Sequence, residues 1–339
     1  MIELDGIIFN LQKQGGISVY FSELVKYLAC NNELYALSIF GSASGYMLKG
    51  GNVVRYPERP FERFRKAPCS NSGIFHSSYY RIPELTKDTS SVVTVHDFVY
   101  ERRVGGIRRA VHTIQKHRAI REASAIICVS NSTAADLKYF LPDVTAPVHV
   151  IHNGVSEEFY RLDNKMFEQA RPYILYVGNR SGYKNFDQAV RALDILPSEF
   201  QLFCVGGGAF SKRELASYSS QTMSRIFHLG NVSNGQLNKL YNEAVCLLYP
   251  SKYEGFGIPV IEAMRSGCPV VSIDCKAVLE AGGDALVVAD DEPAAIAAAV
   301  ERCFQGDRKA IIDAGQRRAA KFSWSSTHCR TVEVYRNLE

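Results

Sequence analysis

The sequence predicts an α/β protein of two doubly wound domains, and three observations carry that expectation. Its 339 residues, 46% of them hydrophobic, exceed one ordinary core and fit two domains of about 150 to 170 residues each. Short apolar runs rich in β-branched residues alternate with helical patterns along the whole length, as in a parallel sheet covered on both faces. Glycine-bearing loops follow several of these runs directly, at the strand ends where open parallel sheets bind ligands.

In the first half the spacing predicts strands at Ile7 to Phe9, near Leu34 to Phe40, and at Ile74 to His76, Val92 to His96, Ala125 to Val129 and Val148 to Ile151. A helix fits Ser18 to Ala29, and the cluster Ser130-Asn131-Ser132-Thr133 caps another running to Phe140. A second series of strands is expected at Tyr173 to Val177, Gln201 to Val205, Ile226 to Leu229, Val245 to Tyr249 and Val270 to Ile273. Between Phe159 and Arg171 the pattern turns polar and irregular, so the linker is placed there: residues 1–160 form the first domain and 161–322 the second. Ala294 to Phe304 reads as an Ala-rich helix, and residues 323–339, led by Trp324, as a last helix that returns to the first domain.

A formal charge of +4 is too small to imply nucleic acid, but its distribution is uneven. From Arg102 to Arg121 there are seven Arg or Lys residues and no acid, and Arg55 to Lys66 forms a second, diluted cluster. Such a segment is either a solvated face or a peripheral contact with anionic membrane. Nine scattered cysteines, without a Cys-x-x-Cys pair, fit a reducing compartment. The start has neither a basic leader nor a cleavage-like site, and no run nears the ~18 apolar residues of a membrane span. A soluble, cytoplasmic protein is expected, with peripheral attachment to the inner face of the plasma membrane as the variant that the basic segment offers.

Chemistry concentrates in the stretch from Tyr249 to Pro269. A strand ends at Tyr249, a loop carries Glu254, Gly255, Phe256 and Gly257, and Pro259 suits the first turn of a helix that Gly267 and Pro269 stop. Backbone N–H groups of Gly257, Ile258 and Val260, with the positive end of the helix behind them, make an anion site suited to a diphosphate. Glu254 lies in the loop beside it, and Glu262, one turn into the helix, suits the two hydroxyls of a ribose. A second strand-exit loop holds Gly178, Arg180, Lys184 and Asn185, whose two cations suit the charge of a departing diphosphate. Gly15 and Gly16 open the first helix and permit close backbone approach to a ligand. His96-Asp97 ends a strand, with Asp97 placed to orient the imidazole, and His76 ends a neighbouring one on the side expected to receive an acceptor. No spacing among His, Cys and acids suggests a metal site, so neither metal nor cofactor is expected.

The segment Glu254 to Val270 resembles the signature of the retaining glycosyltransferases of family 4, E-G-F-G-x-P-x-x-E-A-M-x-x-G-x-P-V, at every fixed position. That resemblance, which extends diffusely over nearly the whole chain, implies the GT-B architecture: two facing Rossmann-like domains with an interdomain cleft. It implies that Arg180 and Lys184 stabilise the leaving diphosphate, that Gly15 and Gly16 lie over the donor, and that His96 bonds the transferred sugar. Glu254 would contact the donor sugar rather than act as a nucleophile. The pairing of a Gly-Gly-Ile-Ser start with a Gly-x-Arg-x-x-Tyr-Lys-Asn loop resembles O-antigen and capsule enzymes, implying mannose from GDP-mannose and a lipid-linked or polysaccharide acceptor. UDP-hexose and dTDP-rhamnose donors stay open, as do a sugar-nucleotide epimerase, a phosphorylase and a non-catalytic nucleotide-sugar-binding protein.

Overall fold

The computed structural model describes residues 1–12, 15–41, 52–69, 73–84, 88–163, 171–180 and 182–339, without the side chain of Arg108. The chain divides into two compact units, Met1–Gly154 with Ser323–Glu339, and Val155–Phe322.

The first unit is built on a parallel sheet of seven strands: β1 (Ile2–Asp5), β2 (Tyr35–Phe40), β3 (Asn52–Tyr56), β4 (Gly73–Ser77), β5 (Thr89–Val95), β6 (Ala125–Cys128) and β7 (Val148–Val150), in the order β3-β2-β1-β4-β5-β6-β7. Helices α1 (Ile8–Leu11), α2 (Gly16–Cys30), α3 (Val99–Arg103), α4 (Gly106–Arg121) and α5 (Asn131–Phe140) join them. Where a strand was expected at Ile7 to Phe9, the strand is Ile2–Asp5 and Ile8 already belongs to a helix. The cause is local. The Asp5 carboxylate accepts the Ile7 N–H at 3.3 Å, Ser78 Oγ accepts the Ile8 N–H at 3.2 Å, and the chain turns. Strand β3 carries no expectation from the sequence because it is a half-exposed edge without an apolar run. Ser130 caps α5, its side chain accepting the Thr133 N–H as the cap cluster predicts.

The second unit has a six-stranded parallel sheet of β8 (Tyr173–Val177), β9 (Gln201–Val205), β10 (Ile226–Gly230), β11 (Cys246–Tyr249), β12 (Val270–Ser272) and β13 (Val287–Val288), ordered β10-β9-β8-β11-β12-β13. Its helices are α6 (Phe186–Ile195), α7 (Lys212–Ala216), α8 (Ser220–Met223), α9 (Asn234–Glu243), α10 (Ile258–Arg265), α11 (Lys276–Gly282), α12 (Pro293–Gln305) and α13 (Arg308–Ala319). The core joins Ile174, Leu202 and Val271 of the sheet to Leu193 of α6 and Val300 of α12. Each such side chain contributes about 1.5–3 kcal/mol by leaving water. The order reverses between β8 and β11, so the loops after these two strands are neighbours at the topological switch point. Phe159 to Leu162, the start of the polar stretch read as a linker, is held by this unit: Arg265 donates to the Phe159 carbonyl, and Asn238 and Asn242 accept the N–H groups of Tyr160 and Leu162.

The last helix, α14 (Trp324–Arg336), packs on α2 of the first unit. Tyr20 of α2 meets the rings of Trp324 and His328 edge-on at 6.0 and 5.1 Å, and Thr327 donates to the His152 carbonyl. Gly154 lies so close under the start of α14 that a Cβ there would stand 2.2 Å from the Trp324 nitrogen.

Candidate functional site

At the switch point of the second unit the sequence motifs become one structure. Strand β8 hands over to Gly178, whose φ of +129° favours glycine and whose N–H bonds the Val205 carbonyl. The loop then folds over Tyr176, whose hydroxyl donates to the carbonyls of Asn179 and Lys184 at 2.9 and 3.3 Å. After β11 the second loop reaches Gly257, left-handed at φ +107°, which caps α10 with Pro259 in the first turn. Three contacts sew these loops together: the Lys252 N–H donates to the Tyr183 carbonyl, and Asp291 accepts from both Lys252 Nζ and Asn185 Nδ2.

The result is an ion pair between the motifs. Lys184 Nζ stands 2.5 Å from Glu254 Oε1, with both side chains largely buried. Beneath them the Tyr249 phenol is buried beside Glu254, and burial and that carboxylate push its pKa well up. The lysine ammonium also sits 5.5 Å from the Tyr249 ring centroid, an added electrostatic contact.

Arg180 turns to a different partner. Its Nε bonds Glu214 Oε1 at 2.7 Å, Nη2 donates to the carbonyls of Gly208 and Ala209, and the guanidinium lies 4.2 Å from the Phe210 ring centroid. Only 4% of this side chain is exposed, and its Nη1 has no partner among the described residues. Glu214 is held down to about 2, chiefly by the arginine, and also closes a capping box with Ser211 on α7. Sequence reasoning missed Glu214 as an arginine partner; the only signal available was its capping-box spacing after Ser211.

Helix α10 departs from expectation in one detail. The Val260 N–H bonds the Gly257 carbonyl at 3.0 Å, so the anion site rests on the amides of Gly257 and Ile258, Pro259 having none. Phe256 packs inward on Phe322 with centroids 5.6 Å apart. Glu262 receives the Tyr241 hydroxyl on Oε2 at 3.2 Å, and burial raises its carboxyl to about 7.

In the first unit, Gly15 caps α2 in an extended conformation, and Gln12 Oε1 accepts the Ser18 N–H at 3.4 Å where a Cβ on Gly15 would stand. Residues 13 and 14 lie outside the description. His96 is buried against Tyr20 with ring centroids 5.2 Å apart. Burial, with the Lys116 charge behind it, lowers its pKa to about 3, so the imidazole is neutral. Its Nε2 has no partner among the described residues. Asp97 accepts the Val99 N–H at the start of α3. His76 is a correction: fully buried, it bonds Tyr335 through Nδ1 at 2.5 Å and Thr94 through Nε2 at 2.8 Å. It fastens α14 to the sheet and presents nothing to an acceptor. Among the described residues no group of three or more His, Cys, Asp or Glu is set to hold a metal ion.

A Glycosyl transferases group 1 family model matches residues 162–318, and a Glycosyltransferase Family 4 model matches residues 69–159. The chain is similar to O-antigen chain mannosyltransferase B of Escherichia coli, 33% identical over 49% of this chain and 46% of that protein, so the match spans about half the relative's length. A D-inositol 3-phosphate glycosyltransferase of Nocardioides sp. is 24% identical over 95% of this chain and 85% of its own. Among solved structures, sucrose-phosphate synthase from Thermosynechococcus elongatus superposes with a TM-score of 0.80 at 18% identity, covering 99% and 98% of the two chains. Anabaena HepE in complex with UDP-glucose superposes at 0.73 and 16% identity, covering 99% of both. At these identities the structures establish the fold, which is GT-B.

Proposed function

The chain belongs to the group 1 and family 4 glycosyltransferases that these two models describe, and from that premise we propose that it moves a hexose from a nucleotide diphosphate sugar to a hydroxyl, with retention of configuration. The observation that carries this reading is the Lys184–Glu254 pair at the sheet switch point, beside the glycine-started helix α10.

In this reading the donor diphosphate sits on the amides of Gly257 and Ile258 at the positive end of α10. Lys184 exchanges Glu254 for the leaving phosphate, and Glu254 is released to bond the donor sugar. Arg180, its Nη1 unused among the described residues, adds a second positive charge. Glu262 accepts the ribose hydroxyls while Tyr241 holds its other oxygen. By the resemblance, Gly15, Gly16 and neutral His96 serve the donor phosphates and the transferred sugar. The bond from the anomeric carbon to the phosphate oxygen breaks, the acceptor oxygen bonds that carbon on the same face, and its proton passes to the leaving phosphate. No metal is required in this scheme.

The E. coli relative, an O-antigen chain mannosyltransferase, favours mannose and an acceptor in surface-glycan assembly, GDP-mannose being the donor that the resemblance implies, whereas the UDP-glucose complex keeps a UDP donor open. Action in the cytoplasm is part of the same reading, with the Arg102–Arg121 segment in peripheral contact with anionic membrane. Among the described residues, no helix is long and apolar enough to cross one. The test is nucleotide release from a panel of nucleotide sugars with candidate acceptors, followed by NMR of the product's anomeric linkage. Turnover with an inverted linkage ends the retaining mechanism. Donor binding without nucleotide release in the presence of any acceptor favours a non-catalytic nucleotide-sugar-binding protein.

A further inference from the structure

Lys116 belongs to the stretch of α4 that reads as cationic, yet none of its side chain reaches solvent. Enclosing an ammonium is costly, and a solvated basic face does not account for one. Its partners show what the charge does. Lys116 Nζ stands 3.0 Å from Glu101 Oε1, itself buried, donates to the Asp97 carbonyl at 2.6 Å, and lies 3.6 Å from the Phe98 ring centroid. Glu101 is shared with His117 Nε2 at 3.2 Å. A single group on α4 therefore holds residues 97, 98 and 101, which carry the chain from β5 into α3.

That bend begins at His96. The carbonyl that Lys116 holds belongs to the next residue, and the buried Tyr80 phenol bonds the His96 backbone itself. Tyr80 keeps a left-handed φ of +58°, a conformation that a bulky residue retains only where its surroundings over-determine it. The imidazole meets the rings of Tyr20 and Phe21 edge-on, at 5.2 and 6.5 Å, and its Nε2 has no partner among the described residues. Edge contacts between rings set a tilt loosely, so the direction of Nε2 follows from where the backbone puts the ring. An ionised donor bonds a carbonyl about twice as strongly as a neutral one, which suits a lysine to the task. Glu101 cancels its charge.

We propose that Lys116 is a positioning residue for sugar transfer: with Glu101 as its counterion it fixes the bend after β5 and thereby sets the direction of the His96 imidazole. Being enclosed, it acts through His96 and touches no substrate. This rests on the reading of His96 as a partner of the transferred sugar.

The experiment replaces the ion pair as a whole, Lys116→Met with Glu101→Gln, because Lys116→Met alone would strand a buried carboxylate. The kcat of transfer should fall at least ~10-fold, within the loss that a misplacement of about 1 Å brings. Affinity for the free nucleotide should stay near wild type, since its motifs lie in the second unit. In a His96→Ala background the same two substitutions should have little further effect, because nothing is left for Lys116 to position. A further loss there as large as in wild type would mean that the pair supports the unit at large, and it overturns the proposal. Ring carbon–hydrogen NMR signals supply a measure that needs no turnover. Those of His96 should broaden or double in the substituted protein, while those of His328 on α14 and His228 in the second unit stay sharp. An unchanged His96 signal, or loss of sharpness in all three, also overturns the proposal. Absence of transfer by wild type from any donor would count against the transferase reading instead, and the ring signals would still decide whether Lys116 orients His96.

Discussion

Lys184 and Glu254 are 70 residues apart, and their meeting makes each dependent on the other. Removing one leaves a largely buried charge without its partner as well as a donor site without its contact. Lys184→Ala and Glu254→Ala are each expected to cut turnover at least ~100-fold in steady-state assays. The double variant should lose less than the product of the two. Glu214 acts one step removed, through Arg180. Its Glu214→Ala variant should raise the donor KM more than it lowers kcat, and Glu214→Gln should recover part of the loss.

Glu262 supplies a pH dependence with a definite sign. Its folded pKa, about 7, lies above the carboxyl's ordinary value because burial disfavours the charge and the Tyr241 bond only partly offsets this. Between the ordinary value and about 7 the folded state therefore binds more protons than the unfolded one, and stability falls as pH rises through that window. If the ionised form takes the ribose, nucleotide affinity rises over the same window. Calorimetric titration of the released nucleotide across this range should show that rise, and Glu262→Gln should flatten both trends.

At the scale of elements, Gly154 governs how α14 begins. A methyl group there would overlap the Trp324 nitrogen at 2.2 Å, and backbone cannot rotate aside as a side chain can. Gly154→Ala should cost about 1–3 kcal/mol or more in chemical denaturation. The sequence marks most of the strands, the Ser130 cap and the α10 turn, because each depends on a few adjacent residues, and it leaves out β3 and β13. It misplaces β1 because Ile7 to Phe9 is as apolar as a strand. The turn that excludes it depends on Ser78, far along the chain.

Across the whole molecule, α14 completes the first unit although it lies last in the chain. It carries Tyr335 to His76, Thr331 to Tyr20 at 3.4 Å, and Arg336 to Glu33. Truncation after Phe322 should accelerate hydrogen exchange in α2 and leave α6 and α10 near their original rates. Equal acceleration in both units would show that α14 stabilises the chain by another route.

The sequence by itself determined the fold class, the resemblance to the family and the two glycine-bearing loops of the candidate site, because these rest on periodicity and on residues close together in the chain. Only the tertiary structure decided which cation faces which acid, that His76 is a core residue, and that Lys116 of α4 is buried against Glu101. Burial and partner choice are set by residues tens to hundreds of positions apart, and local patterning records neither.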